Sequence, residues 1–176
     1  MTISDPTPGA PFVATIEGIG EPRAAADLAA GFILATVEVD AEPEQVFSAL
    51  TSDAVTSWLV RPGVWDTRTW EGDVRPGGEF ATSGVSARGP YKITGTYRVV
   101  ESPHRLLQTW QMALLGAVGA SQLAEVDSEV EYVLSPVDGA TRLTLRHTGF
   151  LGPEQCARNC LGWETSLAAL RALFDR

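Results

Sequence analysis

The strongest constraint on this chain lies near its end, where an alternating segment, residues 141–148, runs through Gly149 and Pro153 into one long amphipathic segment reaching almost to Arg176. Period-2 alternation puts Leu143, Leu145 and His147 on one face of the strand and Arg142, Thr144 and Arg146 on the other. A histidine thus shares a face with leucines. In the segment that follows, Cys156, Cys160, Trp163, Leu167, Leu170 and Phe174 recur at steps of four, three, four, three and four, one continuous stripe at helical period. A helix so apolar along one side needs a broad surface to cover it, and a curved sheet supplies one. The expectation is a sheet gripping a helix, the volume between them either filled or hollow.

Length and charge narrow the function. A chain of 176 residues fits one domain with an appended arm and can bury a real core. Thirteen Lys plus Arg against 22 Asp plus Glu give a formal charge of -9, which repels phosphate backbones and anionic lipid surfaces. Nucleic-acid and membrane-surface binding are therefore excluded. No apolar run approaches the ~20 residues that span a bilayer. The first eleven residues lack a basic stretch followed by an apolar one, so no secretion signal is expected and a cytoplasmic location is.

Cys156 and Cys160 sit four apart on the expected helix. They are neighbours on one face, where helical geometry disfavours a disulfide. Two small buried apolar side chains are the expected reading, not a redox or metal pair. A zinc site needs about four ligands, and only His104 and His147 could add nitrogen. No metal and no cofactor are expected.

Along the chain, residues 1–31 are rich in Pro, Gly and Ala and read as an N-terminal arm, with a short strand near 12–17 and a short helix near 23–30. The domain proper is expected over 32–176. It opens with a strand at 32–39 whose Ile33, Ala35, Val37 and Val39 form an apolar face. Pro43 suits a first helical position and Glu44 the positive end of the helix dipole, with Val46, Phe47 and Leu50 on the buried side. A second short helix is expected at 54–59. Strands separated by Gly and Pro punctuation follow near 67–71, 79–83, 91–101, 105–112, 128–135 and 141–148, in the manner of an antiparallel meander. Residues 113–127, with Gly116 and Gly119 among small apolar side chains, read as a mobile flap.

Several strings in this order resemble one family. They are VDAEPEQVFSALT at 39–51 with Trp58 shortly after, RPGGEF at 75–80, ESPHRLLQTW at 101–110, DGATRLTLRHTGF at 138–150, and Gly162-Trp163 followed by leucines. Their order is similar to the START and Bet v 1-like (SRPBCC) superfamily, in the branch that resembles the C-terminal domain of the activator of Hsp90 ATPase. The resemblance covers roughly 32–175 and implies an α+β helix-grip (Bet v 1-like) fold. In that fold a curved antiparallel sheet wraps a long C-terminal helix, with two short helices after the first strand.

Glycines mark the joints. Gly77-Gly78 suits a tight turn needing positive backbone angles, Gly149 releases the chain from the sheet, and Gly162 beside Trp163 is expected to admit a close neighbour. Aromatics mark the interior: Trp58, Trp65, Trp70, Phe80, Tyr91, Tyr97, Trp110 and Tyr132 fall on the short helices, their loop or the strands. Tyr91, Ile93, Tyr97 and Val99 share one strand face, and Leu106, Gln108, Trp110 and Met112 another. They either fill the interior or line a pocket. As a pocket, Trp58, Trp65, Phe80, Tyr91, Tyr97, Trp110 and Tyr132 would hold a flat apolar molecule, oriented by Gln108 and His147 and closed by Cys160, Trp163 and Leu167 of the helix.

Three functions are consistent with this reading. One is a binding module for a hydrophobic or aromatic small molecule between the sheet and the last helix. The second is a cyclase- or hydrolase-like enzyme in the same cavity, with His147 as acid or base, assisted by a tyrosine or by Glu79 or Glu129; alternatively His147 only satisfies a buried neighbour. The third, implied by the resemblance, is an Hsp90-type co-chaperone. It is disfavoured, because residues 1–31 are too short for the separate chaperone-binding domain of such activators and their asparagine- and tryptophan-rich motif is missing. A homodimer is the expected assembly, the arm and the apolar 113–123 stretch each either packing on a second copy or covering the chain's own pocket.

Overall fold

The alternating pattern becomes one sheet. The computed structural model describes residues 2–4, 13–15, 20–115 and 128–175. The strands are β1 (Thr2–Ser4), β2 (Val13–Thr15), β3 (Arg23–Asp27), β4 (Phe32–Val39), β5 (Trp65–Gly72), β6 (Glu79–Ser86), β7 (Gly89–Glu101), β8 (Arg105–Leu114), β9 (Ser128–Val137) and β10 (Ala140–Thr148). The helices α1 (Pro43–Leu50) and α2 (Val55–Trp58) lie between β4 and β5, and α3 (Pro153–Ala172) follows β10. β1 and β2 pair with each other, and the rest form an eight-stranded antiparallel sheet in the order β3-β4-β10-β9-β8-β7-β6-β5. Two short helices after the 32–39 strand and a long last helix over the sheet make this a helix-grip fold. Among the described residues no helix is long and apolar enough to cross a membrane.

Local chemistry explains the joints. α1 starts at Pro43, and Gln45 Oε1 accepts a bond of 3.1 Å from the Glu42 N–H, one of the donors a helix start leaves free. Its Val46, Phe47 and Leu50 are buried. Trp58 Nε1 donates to the Ala49 carbonyl at 2.7 Å and so ties α2 to α1. Gly149, with φ +88°, lets the chain leave β10 and turn across the sheet. Cys156, Trp163, Leu167 and Leu170 of α3 are buried as the stripe requires, while Cys160 and Phe174 are half-buried.

Four expectations are corrected. The alanine-rich residues 23–30 are not a helix: 23–27 form β3, an edge strand in register with β4 from Arg23↔Thr36 to Asp27↔Phe32. The Asp27 carboxylate accepts from the N–H groups of Ala29 and Ala30, and Gly31 at φ +71° completes the turn. Pairing to a buried neighbour outweighs alanine's preference for helix. Second, a bulge between Tyr97 and Val99 shifts β7 against β8, so that Val100, opposite the buried Leu106, packs on the core and Val99 does not. Third, at Gly77-Gly78 only Gly77 has positive φ, +79°; Gly78 is required because a Cβ there would overlap the Asp73 carbonyl. Fourth, a Cβ added to Gly162 meets nothing within 4 Å among the described residues, so none of them approaches that glycine closely. Of the expected flap, residues 113–114 continue β8, and 116–127 lie outside the described residues, as does part of the expected 12–17 strand.

Gly162 and Gly95 therefore predict opposite outcomes. Gly162 lies inside α3 with room for a Cβ among the described residues, so Gly162→Ala should stabilise the protein by about 0.5–1 kcal/mol through helix propensity. A Cβ on Gly95 would overlap the Thr109 carbonyl and come within 2.6 Å of the Phe80 ring, so Gly95→Ala should lower the urea midpoint. Denaturation of the two variants beside the parent chain checks both signs.

Candidate functional site

Strand register sets the polar groups of the interior in place. One row across the concave face reads Tyr97, Gln108, Val130, His147 and Ile33 on β7, β8, β9, β10 and β4. The next row reads Leu106, Tyr132, Leu145 and Ala35. Trp110 stands two residues beyond Gln108 on the same face of β8. Across these rows α3 lays Trp163, only 4% exposed.

The indole of Trp163 donates through Nε1 to His147 Nδ1 at 2.9 Å, joining α3 to β10 inside the core. Because the indole nitrogen only donates, Nδ1 must carry no hydrogen, and the imidazole is the neutral form with its hydrogen on Nε2. Burial agrees: it pushes the His147 pKa down to about 3. Aromatic rings close around it, Phe150 at 4.5 Å, Trp110 at 5.7 Å and Trp163 at 5.8 Å between centroids. Tyr132 meets Trp163 edge-on at 6.2 Å. Among the described residues, His147 Nε2 and Trp110 Nε1 are buried without a hydrogen-bond partner, as is Arg146 Nε on the other face of β10. An unpaired buried donor costs about 1–3 kcal/mol.

Beside this cluster the interior holds a small hollow of about 10 Å³, room for the centre of roughly one water molecule. Leu50, Val55, Trp58 and Leu59 of the α1–α2 region wall it on one side, and Trp70, Phe80, Thr82, Gln108, Trp110 and Tyr132 of the sheet on the other. None of these side chains is charged. Burial raises the pKa of Tyr97 to about 12 and also raises that of Tyr132, so both phenols are neutral at pH 7. Charge is kept to the opposite face, where Glu71, Asp73, Glu79 and Lys92 border a wide polar trough.

Of the residues expected from sequence, Trp58, Phe80, Gln108, Trp110 and Tyr132 meet at the hollow, and Tyr97 packs on Phe80 with centroids 5.3 Å apart. Trp163 and His147 form the bonded pair alongside. Trp65 and Tyr91 do not line the hollow; they stack on each other at 3.9 Å, and the Tyr91 hydroxyl bonds Thr67, which also donates to the Leu59 carbonyl. Leu167 is fully buried and Cys160 half-buried, and neither lines it. The carboxylates of Glu79 and Glu129 are likewise elsewhere, Glu129 paired with Arg98 at 3.1 Å.

Sequence reasoning missed Trp70, Thr82 and Phe150 as site residues. A bulge between Thr67 and Thr69 reverses the alternation of β5, so Trp70 turns inward opposite Thr82. Phe150 lies just beyond Gly149, where strand periodicity no longer applies. No cluster of three or more potential metal-binding side chains occurs among the described residues.

Residues 40–175 match the model of the activator of Hsp90 ATPase homolog 1-like proteins. The chain belongs to that family. Solved structures agree in fold. Protein Ms6760 from Mycobacterium smegmatis is 19% identical, with a TM-score of 0.69 over 86% of this chain and 95% of its own. Protein CV1439 from Chromobacterium violaceum is 24% identical, with a TM-score of 0.68 over 83% and 99%. CalU16 from Micromonospora echinospora is 28% identical, with a TM-score of 0.57 over 88% and 84%. No curated protein matches the chain.

In this member of the family the buried imidazole has a pH signature. Its folded pKa, about 3, lies below the unfolded value of 6.5. Between those values the unfolded chain takes up a proton that the folded chain refuses, so stability is lost as pH falls, by about 1.4 kcal/mol per unit in that window. His147→Gln removes the effect. Melting curves from neutral pH down to about pH 4 should fall more steeply for the parent chain than for the variant; parallel curves would contradict a neutral, buried His147.

Proposed function

We propose that this chain binds a small apolar or aromatic molecule between the concave face of its sheet and the helices packed on it. The observation that carries this reading is the hollow: aromatic walls from two layers, Gln108, Thr82 and the indole N–H of Trp110 among its polar groups, and no charged group. Drug-sized ligands occupy sites of roughly 300–1,000 Å³, far more than the space now open. Binding therefore requires the layers to part. Between α1–α2 and β5–β8 the packing is already incomplete, and this is where the proposed opening lies.

A catalytic reading with His147 as general base is not favoured by this geometry. Its Nδ1 is occupied by the Trp163 N–H, and a group with pKa about 3 takes up a proton poorly at neutral pH. What His147 presents is an N–H donor. That suits orienting a ligand better than removing a proton from it.

The test uses an apolar fluorescent probe of the anilinonaphthalene type. It is expected to quench the tryptophans on binding and to stabilise the fold, by about 2.7 kcal/mol at a hundredfold excess over its Kd. A probe that neither quenches nor shifts the melting temperature would overturn the proposal.

A further inference from the structure

The rings of His147 and Trp110 touch edge to face, 5.7 Å between centroids, and each keeps a buried N–H without an acceptor among the described residues. His147 is 3% exposed, and its other nitrogen is already committed to Trp163. Trp110 is also part of the wall of the hollow. Two donors lacking acceptors thus stand on neighbouring rings, Trp110 in the wall of the hollow and His147 against Trp110 but outside that wall. A hydrocarbon guest would leave both unpaired. A carboxylate would lose its water with no cation to meet it, since no side chain of the wall is charged and Arg146, next to His147, lies on the other face of β10 over the Phe32 ring at 5.3 Å.

We infer that the bound molecule is a neutral carbonyl compound, an aromatic or alicyclic ketone, aldehyde or ester, whose oxygen accepts from His147 Nε2–H and Trp110 Nε1–H. This rests on the binding reading above and names its ligand class. The Trp163 bond is then a positioning contact, holding the ring so that the hydrogen faces the guest and not the helix. The absence of charge from the hollow sets the preference for an uncharged guest.

The experiment compares tetralin with 1-tetralone, one skeleton without and with a ketone, by tryptophan quenching and by proton–nitrogen NMR of the indole N–H groups. The parent chain should bind the ketone about tenfold more tightly, the worth of about one hydrogen bond to an otherwise unpaired donor. In Trp110→Phe and in His147→Phe that ratio should shrink towards one. The Trp110 indole signal, assigned by its absence from Trp110→Phe, should move downfield with 1-tetralone and not with tetralin. Should His147→Phe fail to fold, Trp110→Phe still decides, because the Trp110 N–H makes no bond among the described residues. Equal affinity for both probes, or a preference that survives in Trp110→Phe, would overturn the carbonyl inference and leave the binding proposal standing. Binding of neither probe would overturn both.

Discussion

The hydrogen bond from Trp163 to His147 ties the last helix to β10 inside the core, and the aromatic cluster of the interior is gathered around it. It places a large ring of α3 over the rows of β8, β9 and β10, where Trp110, Tyr132 and Phe150 gather around it and the imidazole. It also decides the chemistry of the histidine. An imidazole that accepts at Nδ1 inside the core is neutral and offers one hydrogen at Nε2. Truncating a tryptophan packed this way costs about 3–5 kcal/mol, and here it would also leave His147 Nδ1 without its donor. The same contact therefore serves stability and presents a polar group to the interior.

Periodicity made most of this arrangement legible in the chain. The step pattern of α3 and the alternation of β10 correctly put Trp163 and His147 on buried faces, because both elements run without interruption through those residues. Legibility failed where a backbone irregularity broke the period. The bulge in β5 turns Trp70 inward, and the bulge in β7 exchanges Val99 for Val100. A one-residue slip moves every later side chain to the other face, and no composition signal in these strands announces it. Residues 23–27 failed for another reason. Alanine favours helix only when nothing pairs with its backbone, and β4 offers an edge for pairing.

Stacking of Trp65 on Tyr91 shows the limit of reading a site from residue type alone. Both were sensible pocket candidates, yet they spend their surfaces on each other and on the Thr67 to Leu59 link that anchors the loop after α2. Trp58, Phe80, Trp110 and Tyr132 belong to the same class of residue but meet across two layers, leaving the small hollow between them. The difference lies in tertiary placement. Charge follows a simpler rule: acidic side chains border the outer trough, and the hollow has none. An interior without charge, nearly filled, and supplied with unpaired N–H groups is what the proposal of a neutral guest rests on.

The central claim is that Trp163 holds His147 as a neutral ring with its hydrogen on Nε2. Long-range proton–nitrogen NMR of the folded protein at neutral pH reads both ring nitrogens of this residue directly. A hydrogen-free Nδ1 beside a protonated Nε2 is the result this structure predicts. A hydrogen on Nδ1, or on both nitrogens, would contradict it.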